Sequence, residues 1–215
     1  EVIPAASRRF VMFISPRFIC VALFFALAVS ACSDDGDSRQ AVTPSAEEIA
    51  DLQYMREEEK LARDVYLVLY EEWGAQVFSN IAASEQTHTD AVAKTLELFE
   101  LEDPVVDDTI GVFVDPRLAE LYDEMINEGL KSLLEALHVG ATIEEVDMVD
   151  IQSAMDRADD PRIISLYESL LCGSRNHLRA FTSELENAGH PYTAQFLDPA
   201  EVEAIISAPL EQCGA

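Results

Sequence analysis

Basic residues are scarce in this chain: 14 Lys and Arg stand against 41 Asp and Glu over 215 residues, a formal charge of −27. A surface so acidic repels phosphate, which excludes a nucleic-acid partner. Cysteine is scarcer still, with four residues and no Cys-x-x-Cys pair, so these residues hold no iron–thiolate electron-transfer module. Apolar runs are short. The longest, Phe18 to Val29, has about twelve residues, too few for a membrane-spanning helix. Alternating strand patterns and internal repeats are missing as well, which leaves helices as the building material. Against these absences stands a hydrophobic fraction of 49%, too high for a disordered acidic tail.

Arg8, Arg9 and Arg17 precede the apolar run, the arrangement of a signal peptide. It closes on Val29-Ser30-Ala31-Cys32, which resembles the bacterial lipobox, where cleavage leaves a diacylated cysteine as the new N-terminus. Residues 1–31 are therefore expected to be a lipoprotein signal peptide, with Met12 as a compact start and residues 1–11 upstream of it. A plain secretory signal with a chance cysteine is the alternative. Residues 32–44 read as a polar tether carrying lipid on Cys32, the one expected contact with a membrane. Ser33 rather than Asp follows the cysteine, so the expected location is the bacterial cell envelope, in the outer membrane and facing the periplasm. In that oxidising compartment Cys172 and Cys213 form an even pair, read first as a disulfide pinning the C-terminal tail to the last long helix. Two unrelated thiols, or a thiol near a functional site, is the other reading.

Apolar positions recurring every three or four residues predict four long helices between residues 45 and 189. The first runs from a cap at Thr43 or Ser45 to Trp73-Gly74, the second from about Phe78 to Phe99, before Asp103-Pro104. Residues 103–115 look like a crossover, followed by a short helix from Asp115-Pro116 to about Glu128. The third long helix is expected from Leu130 through Ala154, with Gly140 marking a kink or a close helix contact. Asp160-Pro161 opens the fourth, which ends at Gly189. Residues 190–215 form an extension with a short helix from Asp198-Pro199 through Ile206. The expected fold is all-α, a four-helix bundle with a long crossover and short extra helices.

Each apolar stripe carries groups that do not belong there: Glu59 on the first helix, Glu85 and His88 on the second, Glu144 and Asp147 on the third, His177 on the fourth. Glu85-x-x-His88 sends both side chains off one face, one turn apart. A lone buried carboxylate is costly, and the stripes offer no Lys or Arg to pair with it, so a shared metal is the economical reading. Glu58 and Glu145 are adjacent alternatives that a modest helix rotation would select. The rest of Arg56-Glu57-Glu58-Glu59-Lys60 reads as a solvated face, and His138 and His190 receive no role.

These residues resemble the ferritin-like superfamily of di-iron carboxylate proteins, and in particular an uncharacterised prokaryotic family of ferritin-like domains. Glu59-x-x-Ala62-x-x-x-Tyr66 is similar to the first-helix motif of ferritins and rubrerythrins, Glu85-x-x-His88 to the second, and Glu144-x-x-Asp147 to a third-helix carboxylate pair. The resemblance implies a terminal ligand at Glu59, a bridging carboxylate at Glu85 and a terminal ligand at His88. It departs at Ser174, where the family carries a glutamate three residues before the fourth-helix His177. The implied ligand set is Glu59, Glu85, His88, Glu144, Asp147 and His177, with Tyr66, Tyr167 and Ser174 in support. Such a set suits dinuclear iron, with manganese or a mixed pair as alternatives, and an asymmetric pair or a single metal is left open. The implied activity is ferroxidase or oxygen- and peroxide-reactive oxidoreductase chemistry, fed by an external electron donor. A non-catalytic metal-binding or envelope scaffold module is the alternative, and oligomeric state is left open.

Overall fold

The computed structural model describes residues 43–214; the expected signal peptide, Cys32 and most of the tether lie outside the described residues. Six helices make up the fold: α1 (Ala46–Trp73), α2 (Gln76–Leu98), α3 (Pro116–Gly129), α4 (Leu133–Met155), α5 (Pro161–Asn187) and α6 (Pro199–Ser207). No strand occurs among the described residues, so the chain is all-α.

Local chemistry sets the boundaries. Ser45 and Glu48 form a reciprocal capping box at the start of α1, and Gly74 ends that helix in the left-handed conformation, at φ 63°. Asp115, Asp160 and Asp198 each cap a helix whose first residue is proline, so α3, α5 and α6 begin by one device. The third long helix starts at Leu133 rather than Leu130, because Ser132 is its cap and accepts from the Glu135 amide.

Side-chain contacts fix the helix directions. Going up α1, Arg56, Glu59 and Arg63 meet Thr89, His88 and Gln86, so α1 and α2 are antiparallel. Asp51, Tyr54 and Tyr66 likewise meet Arg157, Asp150 and Glu144, so α1 also opposes α4. Helix α5 opposes α4 through Ser174 on Asp147 and Phe181 on Gly140, and opposes α2 through His177 on Ser84. Helices α2 and α4 therefore run parallel, a geometry that a tight turn cannot connect. The segment from Phe99 to Ser132, with α3 inside it, makes that crossing.

One core lies between the long helices. At one end Tyr66, Phe78 and Phe181 pack with ring centroids 5.2–6.3 Å apart. Gly140 lets Phe181 approach: a Cβ there would lie 2.5 Å from the ring. It thus marks a close helix contact.

The run from Arg56 to Lys60 is not a solvated face. All five side chains are buried, Lys60 completely. The crossover covers Arg56, Glu57 and Lys60 and is anchored by them: Arg56 pairs with Asp103, and Glu57 accepts from the Val114 and Asp115 amides, at 2.5 and 2.9 Å. Lys60 donates to Asp64 and to the Thr109 carbonyl, at 2.5 and 2.9 Å. Periodicity within α1 could not reveal this, because the cover comes from about fifty residues downstream. At the other end of the chain the Cys172–Cys213 disulfide, with Cα atoms 5.5 Å apart, fixes the tail to α5. Glu211 reinforces it on Arg175 and Arg179, which hold its carboxyl down at about 2. No described helix is long and apolar enough to cross a membrane.

Candidate metal centre

Halfway along the core, the apolar stripes give way to carboxylates and imidazoles. Glu85 is central: its Oε2 lies 2.8 Å from His88 Nδ1 and its Oε1 lies 2.8 Å from His177 Nδ1. Glu59 approaches the His88 side, with Oε2 at 3.2 Å from Nδ1, and Glu144 the His177 side, with Oε2 at 3.4 Å from Nδ1. The two rings stack with centroids 5.3 Å apart. One ligand atom each from Glu85, His88 and His177 falls within 4.8 Å of the others. Four helices thus contribute to one buried cluster, because the four stripes carry their polar members at the same height.

Asp147 stands beside this cluster, and its Oδ2 accepts from the Ser174 hydroxyl, which also donates to the Leu170 carbonyl. A short serine at 174 leaves room for a carboxylate, and Asp147 fills it from the neighbouring helix. Tyr66 donates to Glu144 Oε1 at 2.6 Å and so orients that carboxylate. Tyr167 does not take part: its buried hydroxyl has no partner, and its charged neighbours are Asp51, Arg157 and Glu48. Neither adjacent glutamate replaces a site residue. Glu145 is turned away, accepting from the amides of Gln195, Phe196 and Leu197. Glu58 is buried near Asp150 and Asp147, outside the imidazole cluster.

Two supporting residues are not visible in the stripes. Ser84 Oγ lies 2.8 Å from His177 Nε2, which leaves Nδ1 turned towards the carboxylates. Gly173 lies under His88, where a Cβ would sit 2.3 Å from ring Cε1. A glycine inside a long helix costs about 1 kcal/mol against alanine, and that cost is the signal that could have found it. Ser84 gives no such signal.

The electrostatics are those of a crowded buried acid cluster. Burial raises Glu59 to about 7, with Glu85 adding to the rise and His88 opposing it. Burial also raises Asp147 well above the usual range, helped by Glu59, Glu144 and Glu85. Glu85 goes the other way: burial would raise it, but His177 and His88 outweigh that and hold it low. Burial would lower His177, yet Glu85 and Glu144 push it up to about 10. Without a metal, the neighbouring carboxylates favour the charged form of both imidazoles.

The cluster fits a cation on its own chemistry. Glu59 Oε1, Glu85 Oε2, Asp147 Oδ1 and His177 Nδ1 are buried without a hydrogen-bond partner. Such atoms are costly unless something charged or polar meets them. Glu85 Oε2 and His177 Nδ1 have no directed hydrogen bond despite contacts at 2.8 Å, and a cation beside them would satisfy both. Two divalent cations would balance the four carboxylates Glu59, Glu85, Glu144 and Asp147, leaving both imidazoles neutral. Oxygen and imidazole donors of this kind suit iron and manganese.

Residues 48–209, which contain all six of these candidate positions, match the family described as an uncharacterized protein domain, DUF2202. The chain belongs to the DUF2202 family. It is 51% identical over 168 residues to the uncharacterized protein MJ0754 of Methanocaldococcus jannaschii, covering 78% of this chain and 91% of that protein. The crystal structure of the hypothetical protein MJ0754 from Methanococcus jannaschii superposes with a TM-score of 0.77 at 47% identity, over 85% of this chain and all of that one.

Proposed function

We propose that this DUF2202 protein is a ferritin-like four-helix bundle holding a dinuclear metal site, with iron as the metal and manganese or a mixed pair as the alternatives. Glu85 carries the reading. Its two oxygens each face a different imidazole at 2.8 Å, the placement of a carboxylate shared between two ions. In this assignment Glu59 and His88 would hold one ion, and Glu144 and His177 the other. Asp147 supplies the fourth carboxylate in the space left by Ser174. The parallel α2 and α4, joined by one long crossover, support the ferritin-like reading of the fold.

Iron bound there would supply redox chemistry towards dioxygen or peroxide, so the proposed activity is ferroxidase or peroxide- and oxygen-reactive oxidoreductase. The protein's own part is to position and to exclude water. Tyr66 fixes Glu144, Ser84 fixes the tautomer of His177, and the aromatic cluster of Tyr66, Phe78 and Phe181 seals one end. Repeated turnover would draw electrons from an external donor. The same proposal places the protein at the bacterial outer membrane facing the periplasm, tethered by lipid on Cys32.

A second reading, one metal in a non-catalytic binding or scaffold module, rests on the tight group of Glu85, His88 and His177. Metal-to-protein ratios of variants separate the two. In the dinuclear reading Glu59→Gln and Glu144→Gln each remove one ion while Glu85→Gln removes both, with helical content unchanged. Metal content unaffected by Glu85→Gln would refute the ligand assignment. A wild-type chain that binds a single ion, and keeps it in both single-sided variants, favours the mononuclear module.

A further inference from the structure

The Cys172–Cys213 disulfide joins the tail to α5 one residue away from a contact of the candidate centre. Cys172 is buried on α5, and the His88 ring rests against its neighbour Gly173, so closely that a Cβ there would lie 2.3 Å from ring Cε1. Cys213 is exposed. The bond can therefore be met from solvent at one end, while its other end lies a single peptide link from the His88 contact.

The tail does not depend on this bond for its place. Before Cys213, the Glu211 carboxylate accepts from Arg175 and Arg179 at 2.8 and 2.7 Å. The Asn176 side chain accepts from the Glu211 amide and donates to the Glu211 carbonyl, at 2.9 and 3.0 Å. Beyond Cys213, Ser169 donates to the Gly214 carbonyl at 2.7 Å. Asn176 also donates to Cys213 Sγ itself, at 3.3 Å. With both flanks of Cys213 held, opening the bond leaves the two sulfurs facing each other and able to close again. A tail held by the bond alone would leave on reduction and lose that pairing.

We propose that Cys172 and Cys213 are a redox-active pair that takes electrons from an external protein dithiol and passes them to the metal centre through Gly173 and His88. The inference rests on the metal-centre reading and adds the electron port and the chemical class of the donor. A donor thiolate attacks the exposed Cys213 sulfur, and Cys172 leaves as the thiolate. The donor's second thiol then resolves the mixed disulfide, so the donor ends as a disulfide and its two protons pass to Cys172 and Cys213. In the forward step each cysteine gives up one electron and the disulfide re-forms. Two protons go to solvent, and two ferric ions become ferrous. One disulfide thus matches one dinuclear site in electron count.

Dithiothreitol stands in for the donor. In the metal-free protein at neutral pH it is expected to open the bond with a gain of two thiols per chain and no loss of helical content, the tail staying protected from proteolysis. In protein whose bound iron has been oxidised and whose oxygen has then been removed, it is expected to regenerate two ferrous ions per chain. Cys172→Ser and Cys213→Ser should keep wild-type metal and helical content while that reduction slows about tenfold or more, because thiols held beside the centre act intramolecularly. Reduction by dithionite, which needs no thiol, should be unchanged in both. Cys213→Ser lies on the exposed tail and keeps the test intact should Cys172→Ser disturb α5. A bond that opens only when the helices unfold would overturn the proposal, as would variants reduced by dithiothreitol at the wild-type rate. A chain that takes up no metal would overturn the metal-centre reading, and the relay with it.

Discussion

At the scale of single residues, several members of the cluster are held by groups outside it: Tyr66 on Glu144, Ser84 on His177 and Ser174 on Asp147. His88 has space only because residue 173 is glycine. Gly173→Ala would put a methyl group 2.3 Å from the ring, and the imidazole can escape only by leaving Glu85 and Glu59. We expect this variant to stay helical while its metal content falls, measured by circular dichroism and elemental analysis together. The imidazoles also make metal uptake pH-dependent. In the metal-free protein His88 lies well above its ordinary value and His177 at about 10, since nearby carboxylates outweigh burial. A metal must displace these protons, so affinity rises as pH rises from neutrality towards 10. Calorimetric titration at pH 7 in buffers of different ionisation enthalpy should show release of at least two protons, one from each histidine, with Asp147 and Glu59 adding to the count because burial raises both. Uptake without proton release would mean that the imidazoles are not ligands. Glu59, His88, Glu85, Glu144 and His177 were legible in the sequence because a charge on an apolar stripe contradicts its surroundings. Ser84 was not, since a serine one residue off the stripe contradicts nothing.

At the scale of elements, the crossover and α1 are joined at buried charged side chains, whose stems pack as well as their heads pair. Lys60 is completely buried between Asp64, the Thr109 carbonyl and the Phe113 ring, with its ammonium 4.6 Å from the ring centroid. Lys60→Ala would leave Asp64 short of a partner and open space beside it. It should destabilise the fold by about 3 kcal/mol or more, read from the denaturant midpoint. Lys60→Met, which restores volume without charge, should cost less, because the Arg63 guanidinium and the Gly111 amide still serve Asp64. Equal losses for both would show that the charge, not the packing, holds the crossover. The helices themselves were readable from spacing and from three Asp-Pro starts, with the largest offset at Ser132. The burial of Arg56, Glu57 and Lys60 was not readable, because it depends on where the crossover lies and not on any period within α1.

At the scale of the whole molecule, strong surface acidity and the buried cluster of carboxylates and imidazoles belong to different parts of the chain. Much of the acidic surface is solvated, whereas the carboxylates that matter sit where four helices meet and where hydration cannot reach. The tail is tied back to α5 by Cys172–Cys213 and by Glu211, beginning one residue from Gly173 and so close to the floor under His88. All of this falls in the span shared with the DUF2202 family, apart from the last residues of the tail. The most direct test of the dinuclear site is the metal content of residues 33–215 after anaerobic loading with ferrous iron, by elemental analysis. The account predicts close to two irons per chain, as four carboxylates and two imidazoles would hold. A folded, helical protein that binds none would contradict it.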